Sequence, residues 1–147
     1  MLLAMEQRVT IEIVGLHKFF EDWFTGVLPN DEATFSRVEN ALADGFVLIS
    51  PLGVLDEREP LLAMLRLAYD SKREFKIWIE NTRVRAISDG LWLVVYEEWQ
   101  KSEGHTSTRL STALFAASSD APNGVVWQHV HETWHQQTVP LRDAPEC

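Results

Sequence analysis

A single cysteine, Cys147, occurs in 147 residues, so no disulfide can form within the chain. That fits a reducing compartment and makes the cytoplasm the expected location. Cations are scarce: Lys and Arg number 13 against 22 Asp and Glu, a formal net charge of -9. Binding a phosphate backbone needs clustered Lys and Arg, so no nucleic-acid partner is expected. No apolar run reaches the roughly 18 residues of a membrane-spanning helix, so no membrane partner is expected. The opening MLLAMEQRVT lacks a basic start and makes a poor signal peptide. G-x-S-x-G is missing and Cys147 is the last residue, so serine or cysteine nucleophile chemistry finds no support, and no phosphate-cradling glycine loop occurs either. No internal repeat, low-complexity tract or linker divides the chain, so residues 1–147 read as one domain with a core near 6–136 and a tail over 137–147.

The first third has a helical period. Val9, Ile13, Leu16, Phe20, Trp23 and Val27 recur every three or four residues, with Phe19 and Phe24 widening the stripe. Gly15 interrupts this helix over 6–28 at roughly 1 kcal/mol against Ala, so a close packing contact is expected there. Asp31 is the expected N-cap of a second helix whose inner face is Phe35, Val38 and Leu42 and which Asp44-Gly45 closes. FVLIS over 46–50 reads as a short buried strand. Asp56 and Glu59 are spaced as a capping box for a third helix, with Pro60 in its first turn.

After Glu74 the period becomes two. Strands are expected over 75–87 (bulged near Asn81), 91–103, 105–118 and 125–135, with turns at Asp89-Gly90 and Glu103-Gly104. Long antiparallel strands twist and curl, and helices on one face give a two-layer α+β domain with a blind cavity between the layers. The short strand is expected to pair with the free edge of the last, which would put 125–135 inside the sheet. In a regular strand Trp127, His129, His131, Thr133 and His135 share a face.

Four passages carry a family likeness: the aromatic helix LHKFFEDWFTGVL, the stretch FVLISPLGVLDEREPLLAML, the strand TRLSTALF with Arg109, and the last strand. There Gly124, His129, His131 and Thr133 keep the spacing of G-W-x-x-x-H-x-H-x-S, with Val125 in place of the tryptophan and Trp127 two residues on. The chain resembles the nuclear transport factor 2-like superfamily, near its ketosteroid isomerase-like and polyketide cyclase-like branches, over about residues 6–136. The resemblance implies three helices packed in a strongly curved antiparallel sheet. The sheet is a meander of four long strands plus one short one, a cystatin-like cone. It also implies a homodimer joined through the sheet's outer face.

His129 and His131 are read as pocket acid–base groups, as satisfied structural histidines, or as zinc ligands with Glu97 or Glu98. Arg109 needs a partner in its apolar strand: a ligand carboxylate, or Glu97, Glu98 or Glu132. One of Glu97 and Glu98 must face each side, and a carboxylate facing an apolar cavity would have a raised pKa. His17 is read as a solvated helix residue, the alternative being the cavity mouth. The expected function is a small-molecule binder with an apolar conical pocket, acting as an isomerase, dehydratase or cyclase through His/Glu acid–base chemistry. A non-catalytic dimeric assembly or sensing module is the alternative, and whether the chain is an enzyme is left open. His129, His131 and Glu97 are the candidate catalytic groups. Arg109, Trp99, Trp127, Trp78, Phe20, Trp23 and Phe24 are the candidate contacts for a small apolar or carboxylate-bearing ligand. No metal and no cofactor is expected.

Overall fold

The computed structural model describes residues 4–135, so the tail over 137–147 and Cys147 lie outside the described residues. Helix α1 spans Met5–Phe24 and buries Val9, Ile13, Leu16, Phe19 and Trp23, most of the expected stripe. It stops a turn before Val27, which is 71% exposed, because Gly26 turns the chain at φ 74°. Gly15 is where α2 comes close: a Cβ there would stand 3.3 Å from Arg37 Nη2. Helix α2, Glu32–Glu39, starts as expected, with Asp31 Oδ1 accepting from the Thr34 N–H at 2.8 Å. It ends earlier than Asp44-Gly45, and Leu42 already belongs to strand β1, Leu42–Ile49. The Asp44-Gly45 pair instead lies where the β1 register slips, between Leu42 and Val47.

Strand β2, Leu55–Glu57, folds back on β1 where a capping box was expected. Helix α3, Arg58–Leu67, therefore starts after Glu57, and no side chain caps it. The four long strands follow the expected meander: β3 Lys76–Ser88, β4 Leu91–Ser102, β5 His105–Ala117 and β6 Val125–Trp134. The bulge near Asn81 is present, with Asn81 at φ 54° and a register shift between Glu80 and Arg83.

The sheet runs β2-β1-β6-β5-β4-β3, which places β6 in the interior. Because β1 lies parallel to β6, the sheet is mixed rather than antiparallel. One face carries the helices and the core: Trp92, Val94 and Tyr96 of β4, Ala113 and Phe115 of β5, and Val125, Trp127 and Val130 of β6 are all buried. Burying each of the larger apolar side chains among these, Val or Phe, contributes roughly 1.5–3 kcal/mol. Among the described residues no helix is long and apolar enough to cross a membrane.

Candidate functional site

Strand β6 does not alternate evenly. Phe115 of β5 pairs with Trp127, and the next β5 residue, Leu114, pairs with His129. Gln128 is the extra residue of a β-bulge. The bulge reverses the parity of everything after it: Trp127 stays on the helix-covered face, joined by Val130 (5% exposed) and Glu132 (5%). His129, His131 and Thr133 turn to the outer face, where they share a shallow depression with Leu93, Leu110, Thr112 and Leu114. The expected single face of Trp127, His129, His131, Thr133 and His135 is thus split, and the two histidines offered as cavity acid–base groups look away from the cone.

The expectation that no H-E-x-x-H occurs, His131-Glu132 lacking a second histidine at that spacing, is corrected: residues 131–135 read HETWH, with His135 in that place. That motif gathers its histidines on one face of a helix. On β6 it puts Glu132 on the opposite face from His131, so the zinc-protease geometry does not form. Among the described residues no cluster of three or more His, Cys, Asp or Glu is placed to hold a metal.

Between helices and sheet lies a cavity of about 240 Å³. Its walls are mostly apolar, from Leu16, Phe20, Phe24, Phe46, Leu61, Leu65, Ile77 and Trp127 among others. Its polar lining is one connected group: His17 from α1, Tyr96, Glu98 and Gln100 from β4, Arg109 from β5 and Glu132 from β6. His17 is 4% exposed, so the solvated reading is corrected. His17 Nδ1 donates to Ile13 O at 2.7 Å and Nε2 to Glu98 Oε1 at 2.9 Å. Both ring nitrogens face acceptors, so the favoured state is imidazolium against carboxylate.

Glu98 also accepts from Gln100 Nε2 at 2.6 Å, with Arg109 Nε 3.7 Å from its Oε2. Arg109 Nη1 donates to Glu132 Oε1 at 3.1 Å, and Ser111 Oγ lies 3.5 Å from Glu132 Oε2. Arg109 Nε itself is buried and makes no hydrogen bond among the described residues.

These contacts drive the two carboxylates apart. Burial alone would raise Glu98, yet the charge and hydrogen bond of His17, helped by Arg109 and Gln100, hold it at about 2. Burial raises Glu132 too, the charge of Glu98 adds to it, and Arg109 only partly offsets this, so Glu132 stands at about 7. Burial disfavours a charged His17, but the Glu98 hydrogen bond and charge outweigh it and its pKa is raised. The expectation of a raised carboxylate in the cavity thus meets Glu132, while the cavity-facing member of the Glu97–Glu98 pair moves the other way.

Of the remaining candidates, Arg109, Trp127, Phe20 and Phe24 line the cavity, the last two as a stacked pair 5.8 Å apart. Trp23 is core, its Nε1 donating to Leu65 O at 2.8 Å. Glu97, Trp99 and Trp78 are on the outer face. The two tryptophans stack there at 5.9 Å, with Trp99 Nε1 on Glu97 and Trp78 Nε1 on Glu80. A third buried carboxylate, Glu12, had a signal that went unused: a charge inside the Val9–Ile13–Leu16 stripe. It accepts from both Arg37 nitrogens at 2.9 and 3.1 Å, from Asn123 at 2.8 Å and from Trp127 Nε1 at 2.9 Å. This clamp ties α1, α2 and the start of β6 together and fixes the Trp127 ring.

Comparison with solved structures shows the nuclear transport factor 2-like, cystatin-like fold. A nuclear transport factor 2-like protein of unknown function from Pseudomonas aeruginosa superposes with TM-score 0.77 at 22% identity, covering 87% of this chain and 98% of that one. The CaMKII hub of S. rosetta gives TM-score 0.66 at 14% identity, over 88% and 95% of the two chains. Among curated proteins the chain is 26% identical to sucrose-phosphatase 1 of Nicotiana tabacum over 128 residues, 85% of this chain and 30% of that protein. Sucrose-phosphatase 2 of the same plant is 24% identical over 126 residues, again 30% of its length. The chain therefore spans about 30% of the length of these relatives. Their names point to phosphate-ester hydrolysis, which overturns the expected isomerase, dehydratase or cyclase chemistry. Residues 9–136 match the family described as sucrose-6-phosphate phosphohydrolase C-terminal, and the chain belongs to that family.

Proposed function

We propose that this chain serves sucrose 6-phosphate hydrolysis as the C-terminal domain of a phosphohydrolase, and that its cone receives part of a small polar ligand. The family match over residues 9–136 carries the first half of this reading. About 70% of each sucrose-phosphatase lies outside the matched segment, so the reading assigns bond cleavage to that remainder and ligand contact to this domain. The cavity supports the second half. Apolar walls with a few convergent polar groups and perturbed carboxylates are the usual make-up of a small-molecule site. The cavity's volume of about 240 Å³ lies near the low end of the usual size for a small-molecule site.

The reading includes a homodimer joined through the outer face of the sheet. That face exposes Leu110 (38%) and Trp78 (36%) beside the stacked Trp99, an apolar surface that water covers poorly. It also keeps the cytoplasm as the location.

Calorimetric titration with sucrose 6-phosphate and with sucrose tests the ligand, and phosphate release from sucrose 6-phosphate tests the division of labour. The expected result is saturable binding of sucrose 6-phosphate by this chain, with no phosphate release above the uncatalysed rate. Absence of binding by both sugars, or hydrolysis by the chain alone, would overturn the reading.

A further inference from the structure

The cavity's charged groups impose a balance that the proposed reading leaves open. His17 and Arg109 bring two positive charges and Glu98 one negative, and all three are held against one another: Nε2–Oε1 2.9 Å for His17–Glu98, Nε–Oε2 3.7 Å for Arg109–Glu98. Glu132 is the fourth member. Its Oε1 occupies Arg109 Nη1 at 3.1 Å, while the neighbouring Nε is buried with no hydrogen bond among the described residues. With Glu132 ionised the group sums to zero, and with Glu132 protonated it sums to one positive charge.

We propose that the end of the cone around Arg109 is an oxyanion site at which the ligand's carboxylate or phosphate oxygen takes the place of Glu132 on the guanidinium and Glu132 takes up one proton. This rests on the reading that the cone binds a ligand, and names the ligand's head group and its coupling.

The physical reason is exchange of like for like. Arg109 lines the cavity, and a guanidinium's planar set of donors fits a two-oxygen anion. An anion arriving there removes the attraction that keeps Glu132 ionised and adds a negative neighbour. Both effects favour the protonated acid. The charged and titratable groups packed against Glu132 are His17 from α1, Glu98 and Tyr96 from β4, and Arg109 from β5. Of these, Glu98 is locked by three partners and Tyr96 stays neutral, because burial and then the Glu98 charge push it well above its usual pKa. Glu132, which stands at about 7, is left to take the proton.

The probes are acetate, a planar oxyanion, and sulfate, a tetrahedral one, since neither titrates between about pH 6 and pH 9. Calorimetry on the whole chain in two buffers of different ionisation enthalpy counts protons directly. The inference expects uptake approaching one proton per acetate or sulfate at pH 8. It also expects affinity to fall about tenfold per pH unit above pH 7. Sulfate stronger than acetate marks the site as suited to a phosphate ester, and the reverse marks a carboxylate. Glu132→Gln, close to the protonated form in shape, is expected to bind with no proton uptake and no pH slope. Arg109→Gln, checked for folding by circular dichroism, is expected to lose binding of both anions. Binding without proton uptake in the wild type, or an unchanged slope in Glu132→Gln, overturns the inference. If sucrose 6-phosphate binds but neither anion does, this inference fails while the proposed function stands. If none of the three binds, both fail.

Discussion

At the residue scale the cavity depends on Glu132, and its titration should show in the stability of the fold. A carboxyl raised from 4.5 to about 7 in the folded state holds more protons folded than unfolded across that interval. Its contribution is fully present below the ordinary value and is lost as pH rises through about 7. Glu98, held at about 2, works in the opposite sense: its contribution is present above 4.5 and is lost only as pH falls towards 2. His17, raised above 6.5, adds to the alkaline loss. Glu132→Gln should therefore flatten the stability profile between about pH 5 and pH 8. At pH 8 the variant should exceed the wild type by on the order of 2–3 kcal/mol, read from urea midpoints at each pH. Identical profiles for the two proteins would show that Glu132 titrates as an ordinary surface acid. Of the partners weighed for Arg109, which were a ligand carboxylate, Glu97, Glu98 and Glu132, the fold brings Glu98 and Glu132 to it, because a lone cation in an apolar strand has few partners. His17 was passed over because its anchors, Ile13 O and Glu98, lie on separate elements, and helical spacing does not show which carboxylate a helix will meet.

At the element scale, β6 explains why the strands were legible and the histidine face was not. Hairpin signals, period-two patterning and the pairing of the short strand with the last one all follow from local chemistry. Sheet order followed as well, since β1 had one free edge to join. The bulge at Gln128 has no such mark: Gln-His-Val is neither glycine-rich nor irregular in hydropathy, and one extra residue inverts every later side chain. Strand β2 was missed for a related reason, because Asp56 and Glu59 satisfy a capping pattern whose partner strand lies elsewhere.

The β4–β5 turn offers a direct check of local backbone logic. Glu103 sits at φ 51° and Gly104 at φ 81°, both in the left-handed region that favours Asn-Gly. Glu103→Asn is therefore expected to stabilise by about 0.5–1 kcal/mol, and Glu103→Val to destabilise by at least as much, measured by thermal unfolding. A Val variant as stable as the wild type would mean the turn relaxes into another form.

At the scale of the whole molecule, the fold presents two different faces. One is a cone with a charge-balanced group of four ionisable side chains. The other is an outer sheet face with His129, His131, Trp78, Trp99 and Leu110. If the outer face joins two copies, Leu110→Arg should convert a dimer to a monomer in sedimentation velocity while leaving the circular dichroism unchanged. A wild-type monomer, or a variant that stays dimeric, would remove that face from the interface. On the proposed reading the ligand sits in the cone, while the histidine strip lies on the outer face. A crystal structure grown with saturating sucrose 6-phosphate tests this most directly. The account predicts ligand density inside the cone, with an anionic oxygen within hydrogen-bond distance of Arg109 and Glu132 moved off that guanidinium. An empty cone, with the sugar phosphate held instead on the outer face by His129 and His131, would contradict it.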